Sequence, residues 1–156
     1  MRLALAIATA LVLASAVACG GSDGVPTATV VVSDDDGGRT ALTVELARTP
    51  AEHSRGLSLR EDLPEDRGML FVFAEDSTAG FWMKDTSIPL SIAFLAEDGT
   101  ILDIQEMEPF STEVHPPPGP YRYALEVNQG WFQRQGFEPG DQVEIPEGVE
   151  ALAAGE

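Results

Sequence analysis

The sequence predicts a mainly β protein: a single compact domain of the β-sandwich, jelly-roll or barrel type, with one or two short helices. Short apolar or alternating segments recur along the chain, and residues that favour turns separate them. A chain of 156 residues is long enough for one such domain to bury a core without disulfides.

The first two predicted strands form a hairpin. β-branched residues dominate 27–32, and the Asp- and Gly-rich stretch 33–39 is typical of a turn. Leu42, Val44 and Leu46 then alternate with polar or small residues, which predicts a half-buried strand.

A short helix is predicted directly after this hairpin. Thr49 and Glu52 have the spacing of a capping box, and Pro50 occupies the first helical position. The helix should run to about Arg55 and end at Gly56, a residue type that often terminates helices.

The middle of the chain predicts buried strands. Residues 68–73 form a continuous apolar run, which favours a central strand covered on both faces, and 81–83 are another strand candidate. Apolar residues occupy every second position over 88–95, which predicts a strand. The Asp-Gly pair at 98–99 predicts a hairpin turn, and 101–104 form the returning strand.

The last part of the chain predicts two more strands and one or two helical turns. Residues 121–127 alternate, 128–135 favour a short helix, and 143–145 form a final strand. The β domain is expected to span 27–146, followed by a disordered acidic tail at 147–156.

The N-terminus predicts export. An apolar run at 3–17 follows Arg2 and ends in small residues, which predicts a signal peptide at 1–18. Cys19 completes a sequence similar to a bacterial lipobox, so a lipid on this cysteine is expected to anchor the protein to the membrane, facing the periplasm or the exterior. Residues 19–26 would hold the attachment site and a flexible linker. The alternative is cleavage by the ordinary signal peptidase, which would give a soluble secreted protein with a free thiol.

Charge and composition exclude several classes of function. The net charge of −17 repels nucleic acid and phosphate ligands, so no nucleic-acid partner is expected. His53 and His115 are the only histidines and no cysteine pair exists, so neither a metal site nor a cofactor is predicted. No Gly-x-Ser-x-Gly turn occurs that would mark a nucleophilic serine.

Four segments together resemble a known family. They are Arg55-Gly56-Leu57, the apolar run at 68–73, FWMKDTSIPL at 81–90 and LEVNQG at 125–130. In this order and spacing they resemble domain of unknown function family 192, also named uncharacterised protein family 0127, over about residues 42–145. The resemblance implies a compact β-sandwich or jelly-roll domain, often exported or membrane-attached, and it brings no activity with it.

Two positions depart from the pattern of this family. Asp85 stands where the family usually has asparagine, and Ser91 stands where it usually has aspartate. If either position binds a ligand, the preference of this chain is expected to differ from that of the family.

The loop around Trp82 is the best candidate for a binding rim. The indole offers an apolar face and one N–H donor, and Lys84, Asp85 and Thr86 follow directly. Because neighbours on a strand face opposite ways, Lys84 and Asp85 can share a pocket only if the chain bends there. The alternatives are that Trp82 packs in the core and that the two charges form a surface ion pair.

Arg55, Glu126 and Asn128 complete the predicted set of ligand-binding residues. Glu126 lies on the face of its strand that holds Ala124 and not Tyr123, so a covered face would require a partner, for which Arg55 is a candidate. The helix dipole could also explain Arg55, and turn chemistry could explain Asn128.

Three functions remain open at this point. The first is a non-catalytic binding module for a small ligand or a cell-envelope component, because the charged aromatic loop comes without a recognisable catalytic set. The second is a hydrolase of cell-envelope carbohydrate, in which Asp85 and Glu126 would form the catalytic pair, about 5–10 Å apart. The third is a structural or accessory role in the envelope, which a buried Trp82 without an adjacent cleft would favour.

Overall fold

The computed structural model describes residues 25–149 and shows a mainly β protein with two short helices. In chain order the elements are β1 (Thr27–Ser33), β2 (Arg39–Ala47), α1 (Pro50–Arg55), β3 (Arg67–Ser77), β4 (Leu90–Leu95), β5 (Ile101–Met107), β6 (Tyr121–Asn128), α2 (Trp131–Gln135) and β7 (Gln142–Glu144). The predicted signal peptide, Cys19, the linker up to residue 24 and the tail from residue 150 lie outside the described residues. Between residues 25 and 149, no helix has the length and apolar character to cross a membrane.

One sheet contains all seven strands, in the order β5-β4-β6-β3-β2-β1-β7. Only β2 and β3 pair in parallel, and a parallel pair requires a crossover, which here contains α1. The sheet curls until its ends meet, because the N–H of Ile101 in β5 donates to the carbonyl of Asp141, just before β7, at 2.8 Å. The barrel-like alternative therefore fits, whereas a sandwich would need a second sheet, which residues 25–149 do not form.

Two apolar clusters cover the two faces of this sheet, and β3 contributes to both. Leu70 and Val72 enter the first cluster, whereas Met69 and Phe71 enter the second. The prediction of a central strand covered on both faces is confirmed. A continuous apolar run suits this position, because both sets of alternating side chains leave water.

Helix α1 has the predicted cap. The N–H of Glu52 donates to Oγ1 of Thr49 at 3.2 Å, and the N–H of Thr49 donates to Oε2 of Glu52 at 2.9 Å, so the capping box is closed in both directions. The N–H of Gly56 donates to the Glu52 carbonyl and ends the helix. Six residues are too few for a stable isolated helix, so α1 depends on these caps and on its packing.

The segment at 81–83 corrects one prediction, because it does not form a strand. A single β-bridge joins Phe81 to His115. The N–H of Thr86 then donates to the Met83 carbonyl at 3.1 Å, which closes a turn and ends the extended run.

Two boundaries also differ from the prediction. β4 begins at Leu90 because Pro89 has no N–H to donate to a ladder. Val149 falls in the stretch expected to be a disordered tail, yet it is 2% exposed and packs in the first cluster. Apolar burial thus extends the ordered domain past residue 146.

Gly68 allows a close approach between β3 and β6, and this generates a prediction about stability. A Cβ at Gly68 would lie 2.6 Å from the Glu126 carbonyl oxygen and 3.2 Å from side-chain carbons of Leu42 and Val127. We expect Gly68→Ala to lower the free energy of unfolding by roughly 2 kcal/mol, as overpacking does in other cores. Urea denaturation measures the change. Gly119→Ala is the control, since a Cβ there meets nothing within 4 Å; equal midpoints for both variants would contradict the packing argument.

Candidate ligand-binding cavity

A cavity of about 240 Å³ lies between the end of α1, strands β3 and β6, and the loop at 79–86. It is smaller than the roughly 300–1,000 Å³ of pockets for drug-sized ligands, so it suits a small molecule. The cavity is lined by His53, Ser54, Arg55, Gly56, Leu57, Phe71, Phe73, Ala79, Gly80, Phe81, Trp82, Lys84, Thr86, Tyr121 and Glu126.

Edge-to-face ring contacts hold the aromatic walls of the cavity. The ring centroids of Phe71 and Phe81 are 4.9 Å apart at 84°, and those of Phe73 and Tyr121 are 5.2 Å apart at 81°. The Tyr121 hydroxyl donates to the Ala79 carbonyl at 2.8 Å, which fixes the loop that carries Phe81. The walls are therefore formed before any ligand arrives.

Glu126 supplies the carboxyl group of the cavity. It follows Leu125 of the first cluster and lies on the same face of β6 as Ala124 of the second, as the alternation predicts. The residue is 5% exposed, and its carboxyl group has no hydrogen-bond or ion-pair partner among residues 25–149. Burial disfavours the charged form and raises the pKa of Glu126 to about 8. At neutral pH the carboxyl group is mainly protonated.

Gly56 keeps the space beside this carboxyl group open. A Cβ at Gly56 would lie 4.0 Å from Oε2 of Glu126 and 3.4 Å from the ring of Phe71. Gly56 has φ +48° and ψ −135°, a backbone conformation that residues with side chains rarely adopt. The glycine that ends α1 therefore also leaves an approach to Glu126.

Two cations, Arg55 and Lys84, lie on the exposed side of the cavity. The Lys84 ammonium group is 5.5 Å from the centroid of the Trp82 ring, a cation–π contact. Neither cation forms an ion pair with a carboxylate of the described residues, although the whole chain has 26 acidic residues. Arginines that do form such pairs are Arg39, Arg60, Arg122 and Arg134. The mouth of the cavity is therefore locally positive on an acidic protein.

His53 also reaches the cavity, a position that sequence reasoning does not reveal. Its Nε2 lies 3.0 Å from the Ala47 carbonyl oxygen, and because a carbonyl only accepts, we assign the hydrogen to Nε2. Its ring lies 4.5 Å from that of Phe73. In the part of the chain that the structure describes, no three metal-ligating side chains come together.

Five of the seven predicted binding residues line the cavity: Arg55, Trp82, Lys84, Thr86 and Glu126. Asp85 does not; it lies in the turn at 83–86 with φ +57°. The sequence required a bend here if both charges were to share a pocket; the turn is present, but only Lys84 lines the cavity.

Asn128, the other predicted residue outside the lining, has a structural contact instead. Its amide donates to the carbonyl of Leu63 at 2.7 Å and to that of Pro64 at 3.3 Å. These bonds fix the end of β6 to the loop that follows α1.

Two alternatives from the sequence are wrong. Trp82 does not pack in the core, since it is 52% exposed beside the cavity. Arg55 and Glu126 both line the cavity, but they do not form the ion pair that burial of Glu126 suggested. The carboxyl group avoids charge by protonation instead.

Ser91 lies on the opposite face of β4 from the cavity, with Ala93 of the first cluster. Its hydroxyl donates to the Glu106 carboxylate, whose oxygens are 2.8 and 2.9 Å away. The N–H of Gly130 donates to Ser91 Oγ at 2.8 Å, and the Gln133 amide donates to Glu106 at 3.0 Å. Glu106 thus supplies a carboxylate beside Ser91. The two positions that depart from the family pattern, Asp85 and Ser91, both lie outside the cavity lining.

The walls are the part of the cavity that sequence reasoning missed. Phe71 and Phe73 share one face of β3 by alternation, and that signal alone could have placed them together. Phe81 and Tyr121 come from distant segments, so their contact with this face depends on the curl of the sheet.

The raised pKa of Glu126 leads to a pH-dependent stability. An ordinary glutamate ionises near 4.5, whereas Glu126 in the folded protein keeps its proton to about pH 8, so between these values the folded state binds more protons than the unfolded state. The stabilisation that the bound proton contributes should be complete below pH 4.5. It should fall by up to roughly 1.4 kcal/mol per pH unit between pH 4.5 and about pH 8, and then level off.

Glu126→Gln removes this ionisation and should therefore gain stability relative to the native chain as pH rises. Urea unfolding of both proteins from about pH 5 to about pH 9 measures the difference. Glu113→Gln, at an exposed position, controls for the loss of one negative charge. A difference between Glu126→Gln and the native chain that stays constant over the whole pH range would contradict the burial argument.

Comparisons with known proteins bear on the family. The family model described as DUF192, Uncharacterized ACR, matches residues 31–145. A crystal structure from Sinorhizobium meliloti 1021, described as a proposed transcription regulator, is 38% identical with a TM-score of 0.77; the match covers 80% of this chain and 97% of that one. A crystal structure of a protein of unknown function from Novosphingobium aromaticivorans DSM 12444 is 37% identical with a TM-score of 0.78, over 85% of this chain and 94% of that one. No curated protein matches the chain. The match over 31–145 shows that the chain belongs to the DUF192 family.

Proposed function

We propose that this protein is a non-catalytic binding module for a small ligand or a cell-envelope component. The observation that carries the proposal is Glu126, a buried carboxyl group that has no partner among residues 25–149 and lies in a preformed aromatic cavity. Burying a polar group without a partner costs stability, and such groups with shifted pKa values concentrate at functional sites. Convergent polar groups in a mainly apolar pocket are typical of small-molecule sites.

The composition of the lining favours binding over hydrolysis. A carbohydrate hydrolase of the paired-carboxylate type needs two carboxyl groups about 5–10 Å apart across the scissile bond. The cavity lining contains one carboxyl group, that of Glu126, and Asp85 lies outside it. The second carboxyl group of such a pair would therefore have to come from elsewhere.

The exposure of Trp82 favours binding over a purely structural role. An indole that only packs in the core would be buried, yet Trp82 stands half exposed at the mouth of a cavity. Its position beside Lys84 gives the mouth both an apolar face and a cation.

Export and lipid attachment are part of the proposal and rest on the sequence alone. The signal at 1–18 and Cys19 would place the cavity outside the cytoplasm, tethered by the linker up to residue 26. The alternative is a soluble secreted form with the same domain.

Lipid attachment predicts a labelling result. Radioactive palmitate should label the native chain, and the label should sit on Cys19 because the chain has no other cysteine. Cys19→Ala should lose the label and leave the membrane fraction. An unlabelled native chain recovered in the soluble exported fraction would support cleavage by the ordinary signal peptidase instead.

The binding function predicts a ligand that raises the thermal midpoint through Trp82. A screen of envelope sugars, peptidoglycan fragments, nucleotides and divalent cations should find a compound that stabilises the protein, because a ligand that binds only the folded state shifts the midpoint by mass action. Trp82→Ala should abolish the shift while changing the unliganded midpoint little, since the side chain is half exposed.

Phe110→Ala is the matched control for this screen. Phe110 is an aromatic residue, 65% exposed and outside the cavity lining, so its removal should leave the ligand-induced shift intact. Equal loss in both variants would mean that binding does not use the cavity, and a blank screen with well-folded protein would favour a structural role.

A further inference from the structure

The charges around the cavity define a class of ligand, an inference that rests on the proposed binding function. We infer that the cavity binds a small zwitterion of the amino-acid class. Its ammonium group pairs with Glu126, its apolar body lies between the aromatic walls, and its anionic group meets Arg55 and Lys84.

The buried end of the cavity calls for a positive ligand group. Glu126 has no partner among residues 25–149, and the space beside Gly56 gives access to its carboxyl group. An ammonium group supplies both the opposite charge and the hydrogen-bond donors that a desolvated carboxylate needs.

The exposed end of the cavity calls for a negative ligand group. Arg55 and Lys84 lack carboxylate partners among the described residues, so a ligand anion would not compete with an existing ion pair. A ligand with only a positive charge would meet these two cations at the mouth. A ligand with only a negative charge would leave Glu126 unpaired, and the net charge of −17 would repel it at a distance.

The walls favour an apolar ligand body over a sugar. The two buried hydroxyl groups of the lining already donate within the protein, Tyr121 to the Ala79 carbonyl and Thr86 to the Lys84 carbonyl. A sugar would place some of its hydroxyl groups against the rings of Phe71, Phe73 and Phe81, which offer those groups no hydrogen-bond partner. An aliphatic or aromatic side chain would find favourable surfaces instead.

Pairing of an ammonium group with Glu126 has a consequence that can be measured. At neutral pH the carboxyl group carries a proton, whereas the ion pair requires it ionised. Binding should therefore release close to one proton per ligand at pH 7, which a merely packed ligand would not do.

Calorimetric titration of the full chain with matched probes tests the inference. L-phenylalanine and L-leucine are compared with their amines, 2-phenylethylamine and 3-methylbutylamine, and with their acids, 3-phenylpropionate and 4-methylpentanoate. At least one amino acid should bind ten-fold or more tightly than its amine and its acid. A plot of its binding enthalpy against the ionisation enthalpy of the buffer should have a slope that corresponds to the release of close to one proton. The same plot for the acids should have no slope.

Variants assign each end of the ligand. Glu126→Gln should bind the amino acid only as tightly as the corresponding acid, and without proton release. Lys84→Met leaves Arg55 in place, so it should weaken the binding of the amino acid toward the affinity of its amine and keep the proton release. Arg67→Gln, which removes an exposed cation outside the cavity lining, should change neither result.

The outcomes separate this inference from the proposed function. If an acid binds as tightly as its amino acid, and neither releases a proton, the inference of a zwitterionic ligand is wrong. The proposal that the cavity is a binding site is then unaffected. If N-acetylglucosamine or glucuronate binds through Trp82 and none of the six probes binds, the ligand is a sugar. This result also contradicts the zwitterionic ligand and leaves the proposed binding function intact. Failure of these probes together with a blank thermal screen overturns both proposals.

Discussion

The pairing of β6 with two neighbours is the constraint on which the rest of the structure depends. β6 forms antiparallel ladders with β3 on one side and β4 on the other, so its backbone cannot shift without breaking both. Its side chains are divided between the two faces, with Tyr123 and Leu125 in the first apolar cluster and Ala124 in the second. A slip of one residue would move Glu126 into the first cluster and phenolic or aliphatic groups into the cavity. The register of a buried strand therefore places the carboxyl group.

This frame also explains how Glu126 remains buried although no other described residue pairs with its carboxyl group. A carboxyl group on a loop could turn toward water, but here the ladder that pairs Met69 with Glu126 fixes the backbone. The walls of Phe71 and Tyr121 are themselves part of the second cluster, so the cavity cannot collapse without loss of core packing. The many apolar contacts that stabilise the sheet offset the free-energy cost of desolvating one carboxyl group. That combination, a rigid scaffold with one unsatisfied group, is characteristic of binding sites.

Local features of this fold could be predicted from the sequence, and long-range ones could not. The capping box at Thr49 and the face on which Glu126 lies follow from neighbours a few residues away, and both are present in the structure. Alternation says which side chains share a face, but it does not say which faces meet. The place of Trp82 at the cavity depends on how its loop packs beside β3 and β6, and the place of His53 depends on the crossover between β2 and β3. Neither could be seen without knowing how the sheet curls.

The acidic surface and the positive mouth of the cavity act over different distances. At physiological salt, charges in water are screened beyond about 8 Å, so the net charge of −17 matters mainly during approach. At the buried end of the cavity, where Glu126 is 5% exposed, electrostatic interactions are screened far less than in water. A molecule with no net charge avoids the repulsion outside and can still meet opposite charges at the two ends of the site. The acidic surface therefore does not oppose the proposed ligand; it selects against simple anions before they reach the two cations that would hold them.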